Sequence, residues 1–226
     1  MLSASEKKFS LLFSLIVILE LASGSMESFE HLHYIFKPLI VVSLLVFFWI
    51  KSKTFENTLR TIIASALLFS LIGDVLLMFV AISSNYFLLG LVAFLLAHVM
   101  YMIAFLKHRN KDLKPFGFIA FLVVYACGLF YLTKDGLHDM LIPVIIYMIV
   151  ILGMSTSAFL RCGNTSKFSF ILVFLGAILF MVSDSILALN KFHEPLAYSK
   201  ISIILTYALA QYLIVIGILK IENMPR

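Results

Sequence analysis

Two aspartates stand in runs that are otherwise apolar: Asp74 in FSLIGDVLLMF (69–79) and Asp184 in LFMVSDSILAL (179–189). An ionised carboxylate facing lipid costs at least about 2.5 kcal/mol, so an acid in such a run faces a bundle interior or a wet cavity. There it can hydrogen-bond a neighbouring helix, carry protons or act as a catalytic acid. Two carboxyl groups at similar depth can also divide labour, one as a protonated donor and one as a charge.

Other polar residues fall where they could serve the same chemistry. Lys37 precedes Pro38 at the expected outer start of a helix, either snorkelling to the interface or directed at a phosphate or one of the acids. His98 and Tyr101, at i and i+3, share one helical face, and Tyr207 and Gln211, at i and i+4, share another. Each pair suits a helix–helix clasp or the lining of a substrate cavity. Glu20 is a third acid in an apolar segment, and Asn190 and Lys191 follow Asp184 by about two turns. A metal held by Asp74, Asp184 and His98 is conceivable, but HExxH and paired histidines at ligand spacing are absent, so no metal or other cofactor is expected. A GxSxG elbow and a glycine-rich phosphate loop are absent too.

The elements that must position these residues are membrane helices. The chain of 226 residues is 62% hydrophobic and 13% charged, with a mean hydropathy of +1.09. Soluble domains carry about a quarter charged residues. Apolar windows of about 20 residues recur along the whole length. They predict an all-α membrane protein of eight spans at 9–24, 34–50, 61–82, 86–106, 116–132, 140–160, 168–189 and 199–219, forming a single polytopic domain over 1–226. At 1.5 Å per residue, Asp74 would lie about 12 Å from the outer end of its span and Asp184 somewhat less.

The net charge of +5 follows the positive-inside pattern, which argues against nucleic-acid binding. With the N-terminus inside, cytosolic segments hold Lys7, Lys8, Lys51, Lys53, Arg60, Lys107, Arg109, Lys111, Lys114, Arg161, Lys167, Lys220 and Arg226, against Lys37, Lys134, Lys191 and Lys200 outside. Both termini are therefore expected in the cytosol, and the expected location is a bacterial inner (cytoplasmic) membrane. Lys7, Lys8 and the ASG at 22–24 imitate a signal peptide, but Glu20 and the further spans favour a retained first helix. Cys127 and Cys162 form no CxxC pattern and suggest neither a disulfide framework nor a zinc site.

A faint internal repeat runs through the chain. LHYIFKP (32–38) resembles LHDMLIP (137–143), Gly73-Asp74 corresponds to Ser183-Asp184, and LAH (96–98) to LAQ (209–211). Four helices per half would make this a parallel repeat about an axis along the membrane normal.

KPL (37–39), GDVLLM (73–78), GLVAFLLAHVMY (90–101), SDSILALNKF (183–192) and YALAQYLI (207–214) together resemble the YhhN/TMEM86 family of integral membrane proteins, which includes lysoplasmalogenases. The resemblance runs from the second helix to the eighth and implies hydrolysis of the vinyl ether bond of a lysophospholipid. The products would be a fatty aldehyde and a glycerophospho-headgroup, and the partners a lysophospholipid and the bilayer. Its motifs point to Lys37, Asp74, His98, Tyr101, Asp184 and Gln211, and leave Glu20 as an extra. Enol ether hydrolysis needs a carboxylic acid to protonate carbon and a carboxylate to stabilise the oxocarbenium ion or activate water. Asp74 and Asp184 suit those roles, His98 and Tyr101 would position water or the headgroup oxygen, and Lys37 would contact the phosphate. A proton-coupled transporter using the paired acids and a non-catalytic lipid-binding protein are the competing readings. The oligomeric state is not legible in the sequence.

Overall fold

The computed structural model describes residues 3–25 and 29–221, and Arg226 of the basic set lies outside them. Among the described residues there are eight α-helices and no strand: α1 (Ala4–Ser25), α2 (Glu30–Lys51), α3 (Asn57–Met78), α4 (Asn85–Leu106), α5 (Phe116–Thr133), α6 (Leu141–Phe159), α7 (Lys167–Phe192) and α8 (Ser199–Leu219). Helices are what a hydrocarbon environment demands, because each satisfies its backbone groups within one segment. Seven of them, α2 to α8, are long and apolar enough to cross a membrane among the described residues. The remaining one, α1, carries Glu6, Lys7, Lys8 and Glu20.

Polar caps fix some of the ends. Ser3 and Glu6 form a capping box before α1: the Ser3 N–H donates to Glu6 Oε2 at 2.6 Å and the Glu6 N–H to Ser3 Oγ at 3.3 Å. Ser166 caps α7 by accepting from the Ser169 N–H at 3.3 Å.

Two boundaries depart from the hydropathy pattern with consequences for the site. The α3 helix ends at Met78 rather than at 82, since Phe79 to Ile82 form turns although they remain apolar. Asp74 is thus about 6 Å from the end of its helix and Asp184 about 12 Å from the end of α7, the reverse of the expected order. The α2 helix starts at Glu30, so Pro38 lies inside it and Lys37 sits about two turns from its start instead of at its mouth. An interior proline removes one backbone donor, a loss that packed membrane helices tolerate.

The helices pair closely as α3 with α4 and α7 with α8; α4 also packs on α6, and α2 on α3 and α8. The core between them holds Ile40, Leu44, Ile63, Leu67, Phe105, Phe180 and Ile214, all essentially inaccessible. The α5 helix is peripheral, burying Leu122 and Thr133, with Phe116, Phe121 and Val124 turned outward. Leu11, Leu15 and Ile18 of α1 are likewise exposed. A surface this apolar suits contact with lipid acyl chains. Near one end of the bundle Arg161 is fully buried, its Nη2 donating to Ser169 Oγ at 2.9 Å.

Candidate functional site

The two acids sit in two separate polar clasps. Asp74, 2% exposed on α3, accepts at Oδ2 from the Tyr207 hydroxyl of α8 at 2.7 Å. One turn along α8, Gln211 Nε2 donates to Ser70 Oγ at 2.9 Å and to Tyr207 Oη at 3.4 Å. Its Oε1 accepts from the Tyr101 hydroxyl of α4 at 2.5 Å. Residues from α3, α4 and α8 thus close one buried hydrogen-bonded network, as buried polar groups must.

Asp184 on α7 accepts at Oδ2 from the Tyr147 hydroxyl of α6 at 2.5 Å. His98 Nε2 approaches the same oxygen at 3.7 Å, an ion-pair distance longer than a hydrogen bond. Among the described residues, Oδ1 has no hydrogen-bond partner. His98 and Tyr101 therefore serve different acids: His98 turns to Asp184, and Tyr101 joins the Asp74 side through Gln211.

An aromatic partition separates the clasps. Phe94 meets Tyr207 edge to face at 5.8 Å between centroids and Phe180 at 6.4 Å, while Phe180 meets Tyr207 at 5.4 Å and His98 at 4.5 Å. Gly73 makes room for this wall, because a Cβ there would stand 2.6 Å from the Phe94 ring. Asp74 and Asp184 remain within electrostatic range of each other across it.

Asp184 lines a cavity whose walls do not include Asp74. This narrow space of about 50 Å³ lies between α4, α5, α6 and α7, and Leu91, Phe94, Leu129, Val144, Tyr147, Met181, Asp184, Ser185 and Phe192 are among its walls. Ser185 is held there by the Tyr125 hydroxyl, which donates to its Oγ at 2.8 Å. A volume of 50 Å³ takes one or two waters, at about 30 Å³ each, so a lipid chain enters only if side chains move. Met148 and Met181 in the wall are flexible enough to do so.

The remaining expected residues are dispersed around this centre. Lys37 lies within electrostatic range of Asp74, as do Glu20 and His33, and does not line the cavity. Glu20, fully buried, pairs with His33 Nδ1 at 2.6 Å and ties α1 to α2. Asn190 Oδ1 accepts from the Leu196 N–H at 3.0 Å and so shapes the turn after α7. Lys191 places its ammonium 5.2 Å from the centroid of Phe87, at the rim of the Asp184 cavity.

Sequence reasoning missed Tyr147, Ser70, His33 and the wall residues Phe94 and Phe180. Ser70 could have been found, since it precedes Asp74 by four residues and shares its helical face. His33 lies within the LHYIFKP motif itself. Tyr147 left only a weak signal, as the one hydroxyl in LIPVIIYMIVIL (141–152). Among the described residues no group of three or more His, Cys, Asp or Glu converges as metal ligands.

Comparison with known proteins adds to this geometry. The chain is 30% identical over 185 residues to the human lysoplasmalogenase TMEM86B, covering 81% of this chain and 74% of the relative. It is 31% identical over 157 residues to the human lysoplasmalogenase TMEM86A, covering 67% and 62% respectively. The pig lysoplasmalogenase TMEM86B is 30% identical over 183 residues, covering 80% and 73%. No solved structure matches the chain. The YhhN family model matches residues 32–218, which takes in both clasps and leaves Glu20 outside. The chain, an integral membrane protein by its apolar helices, belongs to the YhhN family.

Proposed function

We propose that this protein is a membrane-embedded hydrolase that opens the vinyl ether bond of a lysoplasmalogen or a related lysolipid, releasing a fatty aldehyde and a glycerophospho-headgroup. The observation that carries the reading is Asp184 at the wall of an apolar cavity, one oxygen engaged by Tyr147 and the other without a hydrogen-bond partner among the described residues. Similarity to proteins named lysoplasmalogenase supports the substrate class.

In this mechanism Asp184 carries its proton on Oδ1 and gives it to the β-carbon of the vinyl ether. The adjacent carbon becomes an oxocarbenium ion. The Asp184 carboxylate then takes a proton from the water that attacks that carbon, which restores the acid and forms a hemiacetal. The hemiacetal collapses to aldehyde and alcohol. One residue acting first as acid and then as base follows the logic of glycoside hydrolysis. Tyr147 holds the carboxyl in place through Oδ2, with His98 Nε2 standing 3.7 Å from the same oxygen. Asp74 acts across the aromatic wall, where a fixed negative charge stabilises the developing cation in surroundings of low dielectric. Lys37 is then the electrostatic counterpart of Asp74 rather than a ligand of the cavity.

We infer also that α1 crosses the membrane, its exposed Leu11, Leu15 and Ile18 facing lipid, which makes eight spans. The parallel repeat is supported by the packing pattern, in which α3 on α4 corresponds to α7 on α8, and α4 on α6 to α8 on α2. Both termini then lie in the cytosol, in a bacterial inner membrane.

The test is aldehyde release by the purified protein from three lysophospholipids of equal chain length: vinyl ether, saturated ether and acyl ester. The reading requires aldehyde from the vinyl ether alone. Absence of release from that substrate, with pH-dependent uptake into proteoliposomes, would favour a proton-coupled transporter instead.

A further inference from the structure

A second, polar cavity opens beside the Asp184 cavity. The α5 helix ends at Thr133 and passes into a short turn of helix, Lys134–Gly136, which lies against the end of α7. Gly136 sits so close to the Phe192 carbonyl that a Cβ there would run into it, so the turn and the helix end are locked together. Between them is a cavity of about 450 Å³ lined by Tyr131, Leu132, Lys134, Asp135, Gly136, Phe192 and His193. Phe192 belongs to both cavities, and Thr133 of the first lies in the chain between Leu132 and Lys134 of the second.

The two compartments differ in chemistry. The inner one offers mainly hydrocarbon walls, with a single acid and the hydroxyl side chains of Thr133, Tyr147 and Ser185. The outer one offers a cation, an acid and an imidazole at exposed positions. The Lys134 ammonium rests 4.7 Å from the Tyr131 ring centroid, and neither Lys134 nor Asp135 has an ion-pair partner among the described residues. A ligand matching both compartments carries an alkyl chain at one end and both a phosphate and an ammonium at the other. Asp184 lies eight residues before Phe192, about 12 Å along the helix, a rise that takes the whole extended glycerophosphocholine headgroup, and not glycerol phosphate alone, to span.

We propose that this outer cavity is the headgroup subsite of the enzyme, in which Lys134 and His193 receive the phosphate and Asp135 the ammonium of a zwitterionic glycerophospho-lipid. The assignment rests on the hydrolase reading for the position of the scissile bond, but its binding chemistry can be tested without turnover.

The experiment measures binding to the full chain in lipid nanodiscs. The probes are a saturated-ether lysophosphocholine, which lacks the cleavable bond, and the 1-alkylglycerol of the same chain length. Lys134→Ala should weaken binding of the phospholipid about tenfold, the value of one charged hydrogen bond, and leave the alkylglycerol unchanged. Asp135→Asn should weaken the phosphocholine lipid more than a lysophosphatidic acid analogue without the ammonium. Where lysoplasmalogen is turned over, Lys134→Ala should raise KM at unchanged kcat. Unchanged phospholipid binding in Lys134→Ala, or equal loss of both probes, overturns the subsite. So does a loss produced by Lys191→Ala instead, or Lys134-dependent binding of inorganic phosphate as tight as that of the lipid. Absent aldehyde release together with headgroup-selective, Lys134-dependent binding would sink the hydrolase reading and sustain the subsite.

Discussion

The Tyr147 hydroxyl donates to Oδ2 of Asp184 at 2.5 Å, and this one contact differentiates the two oxygens of the carboxyl group. With Oδ2 engaged, Oδ1 is the oxygen left to carry a proton into the cavity. Tyr147→Phe removes the hydroxyl and keeps the ring that packs on His98 at 5.3 Å. The expected result is a fall in kcat of about 10- to 100-fold with little change in KM, since positioning and not substrate contact is lost. Steady-state kinetics on the purified variant, with its melting temperature as a folding control, checks this.

The Asp74 clasp predicts a different signature. Asp74→Asn keeps the size of the side chain and an acceptor for Tyr207, so the protein should insert and fold. Turnover should fall by about 10²–10³, the cost of removing one preorganised electrostatic stabiliser. Equal activity in Asp74→Asn and wild type would leave Asp74 a helix-packing device and remove it from the mechanism.

Gln211 is expected to matter for stability first. Its amide joins Tyr101, Ser70 and Tyr207 in one buried network, and Gln211→Leu strands the Tyr101 hydroxyl, while Tyr207 keeps Asp74 and Ser70 keeps the Ala66 carbonyl. Each unsatisfied buried group costs about 1–3 kcal/mol, so a lowered melting temperature is the expected readout.

At the start of α1, a pH effect follows from Glu6. Burial alone would push its carboxyl up, but hydrogen bonds from Lys220 and from the Ser3 N–H, with the charge of Lys220, hold it below the ordinary glutamate range. Lys220 Nζ lies 2.8 Å from Glu6 Oε2, fastening the start of α1 to the end of α8. A depressed pKa in the folded state means that this contribution is complete above the ordinary glutamate value near 4.5 and is lost as pH falls through the folded value. Glu6→Gln should therefore lower the melting temperature at pH 7 and make little difference in strong acid. A destabilisation of equal size at both pH values would contradict the assignment.

Much of the architecture was legible because hydropathy reports what lipid requires. The seven spans of α2 to α8, and the presence of one acid in each of α3 and α7, follow from the hydropathy pattern, while the depths of the two acids in their helices do not. The end of α3 was not legible: Phe79 to Ile82 are as apolar as the helix before them, and the turn they form, in which Phe79 packs on Tyr34 and Tyr86, is a tertiary feature. Pro38 misled for a related reason, since proline suits a first turn but is tolerated inside a packed membrane helix. Of the site, the i, i+4 pair of Tyr207 and Gln211 was legible as a shared face. Its junction with Tyr101 and Ser70 required the tertiary packing of α3, α4 and α8. The inequality of the two acids was likewise invisible, because it depends on where Phe94 and Phe180 place a wall.

The central claim, that Asp184 protonates the β-carbon of a vinyl ether, is tested most directly by turnover in D2O with immediate trapping of the aldehyde. The carboxyl proton exchanges with solvent, so the wild-type protein should release aldehyde carrying one deuterium on the carbon next to the carbonyl, and Asp184→Asn should release none. Aldehyde without that deuterium, or full release by Asp184→Asn, would contradict the account.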